Sequence, residues 1–299
     1  MSIITEQIDE AYRALSPVEL EAFLKDLCKK EILEHGRVSA EYVTACNELG
    51  TFFRGRARYD EGESAYQEAL ACAEALVGRT DPYATCLDNL GELYRLQGKL
   101  DLCEEYLLKA ERAFSNKESV EYAACLNYQG HLAGSRHDHK RARDCYLRSL
   151  AIVEPNCSDS LTLATGYQNA ASAFQAVGDL QSAASYLEKS IDIYRRGSLS
   201  PNAHYVGLLN QIATLKMAQG QDDEAASTFD IALDTVNAVA ISPLDAAIVL
   251  VNAAALYKRH GDADKFDAVL PHIEELMALD SIKGNPLMER IKKLIDTWR

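Results

Sequence analysis

Three histidines lie close together in the chain: His131, His137 and His139. Imidazoles at such spacing could hold a metal ion, but a metal centre needs three or four converging ligands. His137-Asp138-His139 falls in a predicted turn, and His131 sits six residues earlier on a predicted helix, free to face another way. A solvated loop is therefore the expectation, and no metal is assigned. Glu104-Glu105 and Asp222-Asp223-Glu224 fall at predicted outer positions of helices, where charge runs are usually solvated faces. The chain has no G-x-x-x-x-G-K-S/T phosphate loop, no H-E-x-x-H helix and no G-x-S-x-G elbow. No nucleophile stands with a base. These residues point to no catalytic group, no cofactor and no enzymatic role.

Polar residues that recur at a regular step are more informative. Carboxamides stand at Asn47, Asn89, Asn127, Asn169, Asn210, Gln211 and Asn252, with Tyr128 in the same series. Two arginines, Arg54 and Arg95, lie one step apart. A carboxamide carries two donors and a carbonyl acceptor, so it can pair with a peptide N–H and C=O together, whatever the peptide's sequence. An arginine can fork onto a carboxylate.

The step belongs to a repeat. Small residues occur at Gly50, Gly91, Gly130, Ala171, Ala213 and Ala254, separated by 41, 39, 41, 42 and 41 residues. A second series, Gly62, Cys103, Ala142, Ala183, Ala225 and Phe266, follows the first by 12 residues in every copy. Self-similarity at such a period marks a solenoid. In the second copy Leu87, Leu90, Leu93 and Tyr94 have helical spacing, and Gly98 marks a turn. Leu100, Cys103, Leu107 and Ala110 then form the inner stripe of the next helix. Gly178, Gly220 and Gly261 hold the same turn position, where a left-handed residue commonly ends a helix. Copies one and three depart, with Ala57 and His137 there. Few prolines and no strand-like alternation predict helix throughout.

This pattern resembles the tetratricopeptide repeat family, over about residues 40–280. The family's usual period is 34 residues. The excess here is close to two helical turns, or one extra turn per helix, which keeps the same faces inward. The longer repeat looks like the kinesin-light-chain type. The resemblance implies an all-α, right-handed superhelical solenoid of antiparallel helix pairs. Six repeats are expected at about 41–81, 82–120, 121–160, 161–201, 202–243 and 244–280, with helical caps at 1–40 and 281–299, in one continuous domain. Ser16-Pro17-Val18-Glu19 predicts a capped helix running to about His35, after a shorter one from about Thr5 to Leu15. Asn285-Pro286 predicts a last helix whose Leu287, Ile291, Leu294 and Ile295 cover the end of the stack. The repeat degrades in copy six, where Phe266 replaces a small residue and Pro271 should kink or break the second helix.

The family lines its concave groove with the first helix of each pair. By that geometry the residues two before the small positions face the groove: Glu48, Asn89, Tyr128, Asn169, Gln211 and Asn252. One place earlier come Asn47, Asp88, Asn127, Gln168, Asn210 and Val251. The resemblance implies an amide ladder that clamps an extended peptide; the alternative is that these amides bind neighbouring helices or water. Arg54 and Arg95 would project from adjacent repeats toward an acidic group on the ligand, unless they pair with Glu92 or Asp88. The family's carboxylate clamp for chaperone tails needs lysine and arginine where this chain has Thr44, Thr85, Ala124 and Thr165, which argues against that role.

Composition narrows the partners. The formal charge is −14 over 299 residues, from 31 basic and 45 acidic side chains. Nucleic acid is not an expected partner, because binding phosphate requires a basic surface; acidic membrane surfaces are disfavoured for the same reason. No apolar run reaches the roughly 18–20 residues of a membrane span. The first residues, MSIITEQIDEAYRAL, do not read as a signal peptide. The eight cysteines never form C-x-x-C, which predicts reduced thiols in a cytoplasmic protein.

The expected function is a non-enzymatic scaffold or adaptor that binds a peptide or partner protein in its groove. The alternative is a regulatory sensor that binds a small molecule or signalling peptide and acts through another chain, since residues 1–40 are too short and acidic for a DNA-binding or ATPase module. Self-association is undecided by the sequence.

Overall fold

Five of the six repeats begin with a side-chain-capped helix, and the cap is written in the sequence; Thr80, before the second repeat's first helix, makes no such bond. Ser39, Ser119, Ser160, Asn202 and Ser242 each accept a hydrogen bond from a backbone N–H in the first turn of the helix that follows. Such caps satisfy one of the orphan N–H groups of a helix start. The computed structural model describes residues 3–157, 160–197, 199–239, 241–279 and 285–298. Among these residues there are fifteen α-helices and no strand. The fold is an all-α helical-repeat solenoid.

The chain divides into two compact units, Met1–Ile152 and Val153–Arg299. The first holds α1 (Ile3–Ala14), α2 (Pro17–His35), α3 (Ala40–Arg54), α4 (Tyr59–Val77), α5 (Asp81–Leu96), α6 (Leu100–Ala113), α7 (Val120–Ser135) and most of α8 (His139–Asn156). The second holds α9 (Leu161–Ala176), α10 (Leu180–Arg195), α11 (Ala203–Ala218), α12 (Asp222–Ala238), α13 (Pro243–His260), α14 (Ala263–Met277) and α15 (Pro286–Asp296).

Within a pair, the small residues let two helices approach. A Cβ on Gly50 would lie 2.6 Å from the Tyr66 ring, and one on Gly91 would lie 2.9 Å from Leu107. The turn between the helices needs a left-handed residue. Gly98, Gly178, Gly220 and Gly261 have φ of 76°, 83°, 75° and 79°. Ala57 and His137 adopt the same conformation, at φ 57° and 62°, without glycine's freedom.

The predicted start of the helix at Ser16 is present. Ser16 and Glu19 form a reciprocal capping box, and Gly36 follows the helix with φ 82°. Two expectations at the other end need correction. Helix α14 runs through Pro271 without a break, and Pro271 lies on its exposed side, where the ring meets solvent instead of a packed neighbour. In α15 the covering side chains are Met288, Ile291 and Ile295, with Leu287 half-buried; Leu294 is 41% exposed. Phe266, too large for its row, stacks edge-on against Trp298 at 5.8 Å.

All eight cysteines are free thiols. Burial pushes the Cys86 thiol up to about 11 and the Cys103 thiol up to about 12, so both stay protonated and inert at neutral pH. No helix among the described residues is long and apolar enough to cross a membrane.

Candidate site on the first helices of the repeats

In the first unit, the row that the register assigns to the groove falls on α3, α5 and α7 as Glu48, Asn89 and Tyr128, all half-buried. Their neighbours one place earlier differ. Asn47 is half-buried, whereas Asp88 is only 2% exposed, and the group beside its carboxylate is the buried Cys125 thiol, a weak donor. Burial holds the Asp88 carboxyl well above its usual range. Asp88 therefore belongs to the interior and not to a binding surface. The amides bond along the repeat: Asn89 Nδ2 donates to Asn47 Oδ1 at 3.2 Å, and Asn47 Nδ2 donates to Cys86 Sγ at 3.3 Å. Asn127 Oδ1 is buried without a partner.

The two arginines have unlike surroundings. Arg95 forks onto Glu92, with Nε to Oε2 at 2.8 Å and Nη2 to Oε1 at 2.7 Å, and its Nη1 reaches Ser135 Oγ at 3.3 Å. His131 Nδ1 adds a contact to the same Glu92 at 3.6 Å, beyond hydrogen-bond range. His131 thus belongs with Glu92 and with the rings of Tyr128 and Tyr146, at 6.0 and 5.8 Å, and not with His137 and His139. Arg54 sits across the same face. Its Nη1 lies 3.5 Å from the Tyr128 hydroxyl, and among the described residues no carboxylate comes within ion-pair distance of it. Glu48, on the same helix, has its carboxyl pushed up by burial and by Asp9, against a smaller opposing effect of Arg54.

The second unit presents a cleft of about 340 Å³ between α9, α11 and α13, lined by Gln168, His204, Gly207, Asn210, Gln211 and Asp245 with aliphatic neighbours. Asn252 Nδ2 donates to Asn210 Oδ1 at 2.9 Å, repeating the Asn89–Asn47 bond at the same spacing of 42 residues. Gln168 is turned inward, donating to Ser190 Oγ at 3.3 Å. Gln211 Oε1 is buried without a partner, and Asn169 is half-buried. The register placed these residues on the first helices of successive repeats, as observed. The partners Glu92, Cys86 and Ser135 were not legible from it, except that Glu92 stood as one of two candidate acids for arginine. Among the described residues no group of three or more His, Cys, Asp or Glu side chains is arranged to hold a metal ion.

Comparison with known proteins agrees with this architecture. No curated protein matches the sequence significantly. Among solved structures, the APC/C hetero-tetramer Cut9-Hcn1 superposes with a TM-score of 0.64 at 12% identity, covering 98% of this chain and 49% of that one, so this chain spans about half its length. The apo form of RapI gives 0.55 at 14% identity, with 78% and 97% covered. PilF of Pseudomonas aeruginosa gives 0.52 at 15%, with 84% and 96% covered. At these identities the likeness is one of fold alone. The sequence itself matches the tetratricopeptide repeat profile over residues 42–116 and 121–196, and the chain belongs to the tetratricopeptide repeat family.

Proposed function

We propose that this chain is a non-enzymatic scaffold whose first-helix face in the first unit binds a segment of a partner protein that carries an acidic side chain. The carrying observation is Arg54: a half-buried guanidinium beside the Tyr128 hydroxyl, with no carboxylate in ion-pair range among the described residues, while its neighbour Arg95 is neutralised by Glu92. A partly desolvated arginine gains most from a charge-assisted, forked bond to a carboxylate. Tyr128 touches it, and Asn47 and Asn89 lie on the same and the next first helix. After the Asn47–Asn89 bond, each amide retains donor and acceptor capacity for a peptide backbone. Tetratricopeptide arrays generally serve protein interaction, and the formal charge of −14 makes a local cation on this face a point of selectivity.

Selection of displayed peptides against the full chain tests this reading, run in parallel on Arg54→Gln. Enrichment of Asp- or Glu-bearing peptides that bind the wild type at least about tenfold better than the variant is expected, from loss of a charged hydrogen bond. Peptides without acidic enrichment, or equal binding to both proteins, would overturn it.

A second reading, a small-molecule sensor acting through another chain, is supported by the 340 Å³ cleft of the second unit, whose size and mixture of amides with aliphatic walls suit a compact ligand. A metabolite that raises thermal stability of the wild type but not of Gln211→Ala would favour it.

A further inference from the structure

The second unit also carries two clefts that are copies of one another, one repeat apart. The first is lined by Ile191, Tyr194, Tyr205, Leu209 and Thr228 among others, and holds about 290 Å³. The second is lined by Leu233, Val236, Ala246, Leu250 and Val269, which hold the corresponding register positions, and holds about 470 Å³. Two corresponding positions differ in kind between the clefts. In the smaller cleft Tyr194 and Tyr205 close on each other, with ring centroids 4.8 Å apart. The same register in the first unit is closed by Phe114 and Tyr122, at 5.7 Å. In the larger cleft these two places are taken by Val236 and Ala246, neither of which carries a ring.

The repeat therefore builds a socket shaped for an aromatic pair and leaves it without one. An apolar cavity of about 150 Å³ already suffices to take up benzene, so the extra space is of the right order for a ring. The lining also fixes the sign of the neighbouring charge. It contains one carboxylate, Glu275, which is exposed at the rim beside His272, and it contains no lysine or arginine. We propose that the cleft between α12, α13 and α14 receives an aromatic side chain of a partner polypeptide, with a basic residue next to it in the partner's sequence. This contact is separate from the acidic-segment site in the first unit and does not depend on it.

The test uses the full chain with labelled leucine and valine methyls. The probe is N-acetyl-phenylalanyl-arginine amide, and N-acetyl-alanyl-arginine amide is the control. The phenylalanyl probe should give saturable shifts at Leu233, Leu250, Val269 and Leu276, and the alanyl control should not. Ala246→Tyr restores the residue that the preceding repeat carries at Tyr205. It should fold, hold or raise its melting temperature, and weaken the probe by at least about tenfold. Glu275→Gln should weaken it severalfold without changing stability. The proposal falls if the phenylalanyl probe gives no saturable shifts at these methyls, or if the control binds equally. It falls too if a folded Ala246→Tyr binds undiminished. Equal binding by Glu275→Gln overturns the basic neighbour. Phenethylamine binding far more tightly than the peptide would reassign the cleft to a small aromatic amine and overturn the polypeptide partner.

Discussion

Glu92 accepts two hydrogen bonds from Arg95, at 2.8 and 2.7 Å, at a position that is nearly closed to solvent. Burial alone would raise the carboxyl's pKa, but the forked guanidinium, helped by His131, outweighs it and holds Glu92 at about 2. A depressed acid stabilises the fold fully above its unfolded value of 4.5, and that contribution is lost as pH falls through about 2. Glu92→Gln leaves Arg95 without its counter-charge and is expected to cost about 3–5 kcal/mol at neutral pH, the usual cost of breaking a buried pair from one side. Urea titrations should show the gap between wild type and variant narrowing as pH falls from 5 toward 2. A gap independent of pH would mean that the charge of Glu92 is not what holds Arg95.

Asp88 behaves in the opposite sense. Its folded-state pKa is raised above the ordinary 3.8 by burial, so the unfolded chain ionises it first. Above pH 3.8 this group withdraws stability as pH rises toward its folded value. Asp88→Asn keeps the shape and removes the titration. It should stabilise the protein at pH 8, where the unfolded carboxyl gains from ionising and the buried one does not, and by nothing well below pH 3.8. Chemical denaturation at the two pH values decides it. A destabilised variant at pH 8 would show that the carboxyl has a partner which the amide cannot replace.

These two acids mark the limit of what the sequence told. The small-residue rows and the turn glycines were readable because close helix approach and a left-handed turn each restrict residue type locally. The cap row at Ser39, Ser119, Ser160, Asn202 and Ser242 carries a further periodic signal of the same local kind. Register also said that residues such as Asn47 and Asn89, or Arg54 and Arg95, hold equivalent places in adjacent repeats. It could not say that Asn89 bonds Asn47, that Arg95 takes Glu92, or that Asp88 turns inward, because those outcomes depend on rotamers and on distances between repeats. His131 is the clearest case: close in sequence to His137, it meets Glu92 from 39 residues away. Pro271 failed as a break signal because local propensity yields where the ring can face solvent.

Gly50 lies against Tyr66, which is fully buried and bonds Thr51 through its hydroxyl at 3.0 Å. A methyl at Gly50 would stand 2.6 Å from the ring, so either the ring or the helix must move. Gly50→Ala is expected to cost about 1–3 kcal/mol by overpacking, in spite of alanine's better helix propensity. The fourth repeat places Ala171 in the same row with Leu187 at the register position of Tyr66. Gly50→Ala combined with Tyr66→Leu should therefore lose less than the two single changes together. A double-mutant cycle measured by urea denaturation tests this, and strictly additive losses would rule out the contact as the cause.

Ala57 and His137 occupy the turn conformation that glycine fills in the other four repeats, at φ 57° and 62°. An L-residue there meets the steric cost of the left-handed region, on the order of 1–2 kcal/mol. Glycine avoids that cost but gains freedom in the unfolded chain, which returns part of the benefit. Ala57→Gly and His137→Gly are each expected to stabilise the protein by about 0.5–1 kcal/mol. Neither side chain belongs to the Arg54 site, so peptide binding should be unchanged. Gly98→Ala provides the reverse comparison at φ 76° and should destabilise by a similar amount. Equilibrium denaturation of the three variants measures the effect. A gain from glycine at Ala57 but a loss at His137 would show that the His137 side chain, 6.0 Å from the His139 ring, contributes a contact that outweighs the strain.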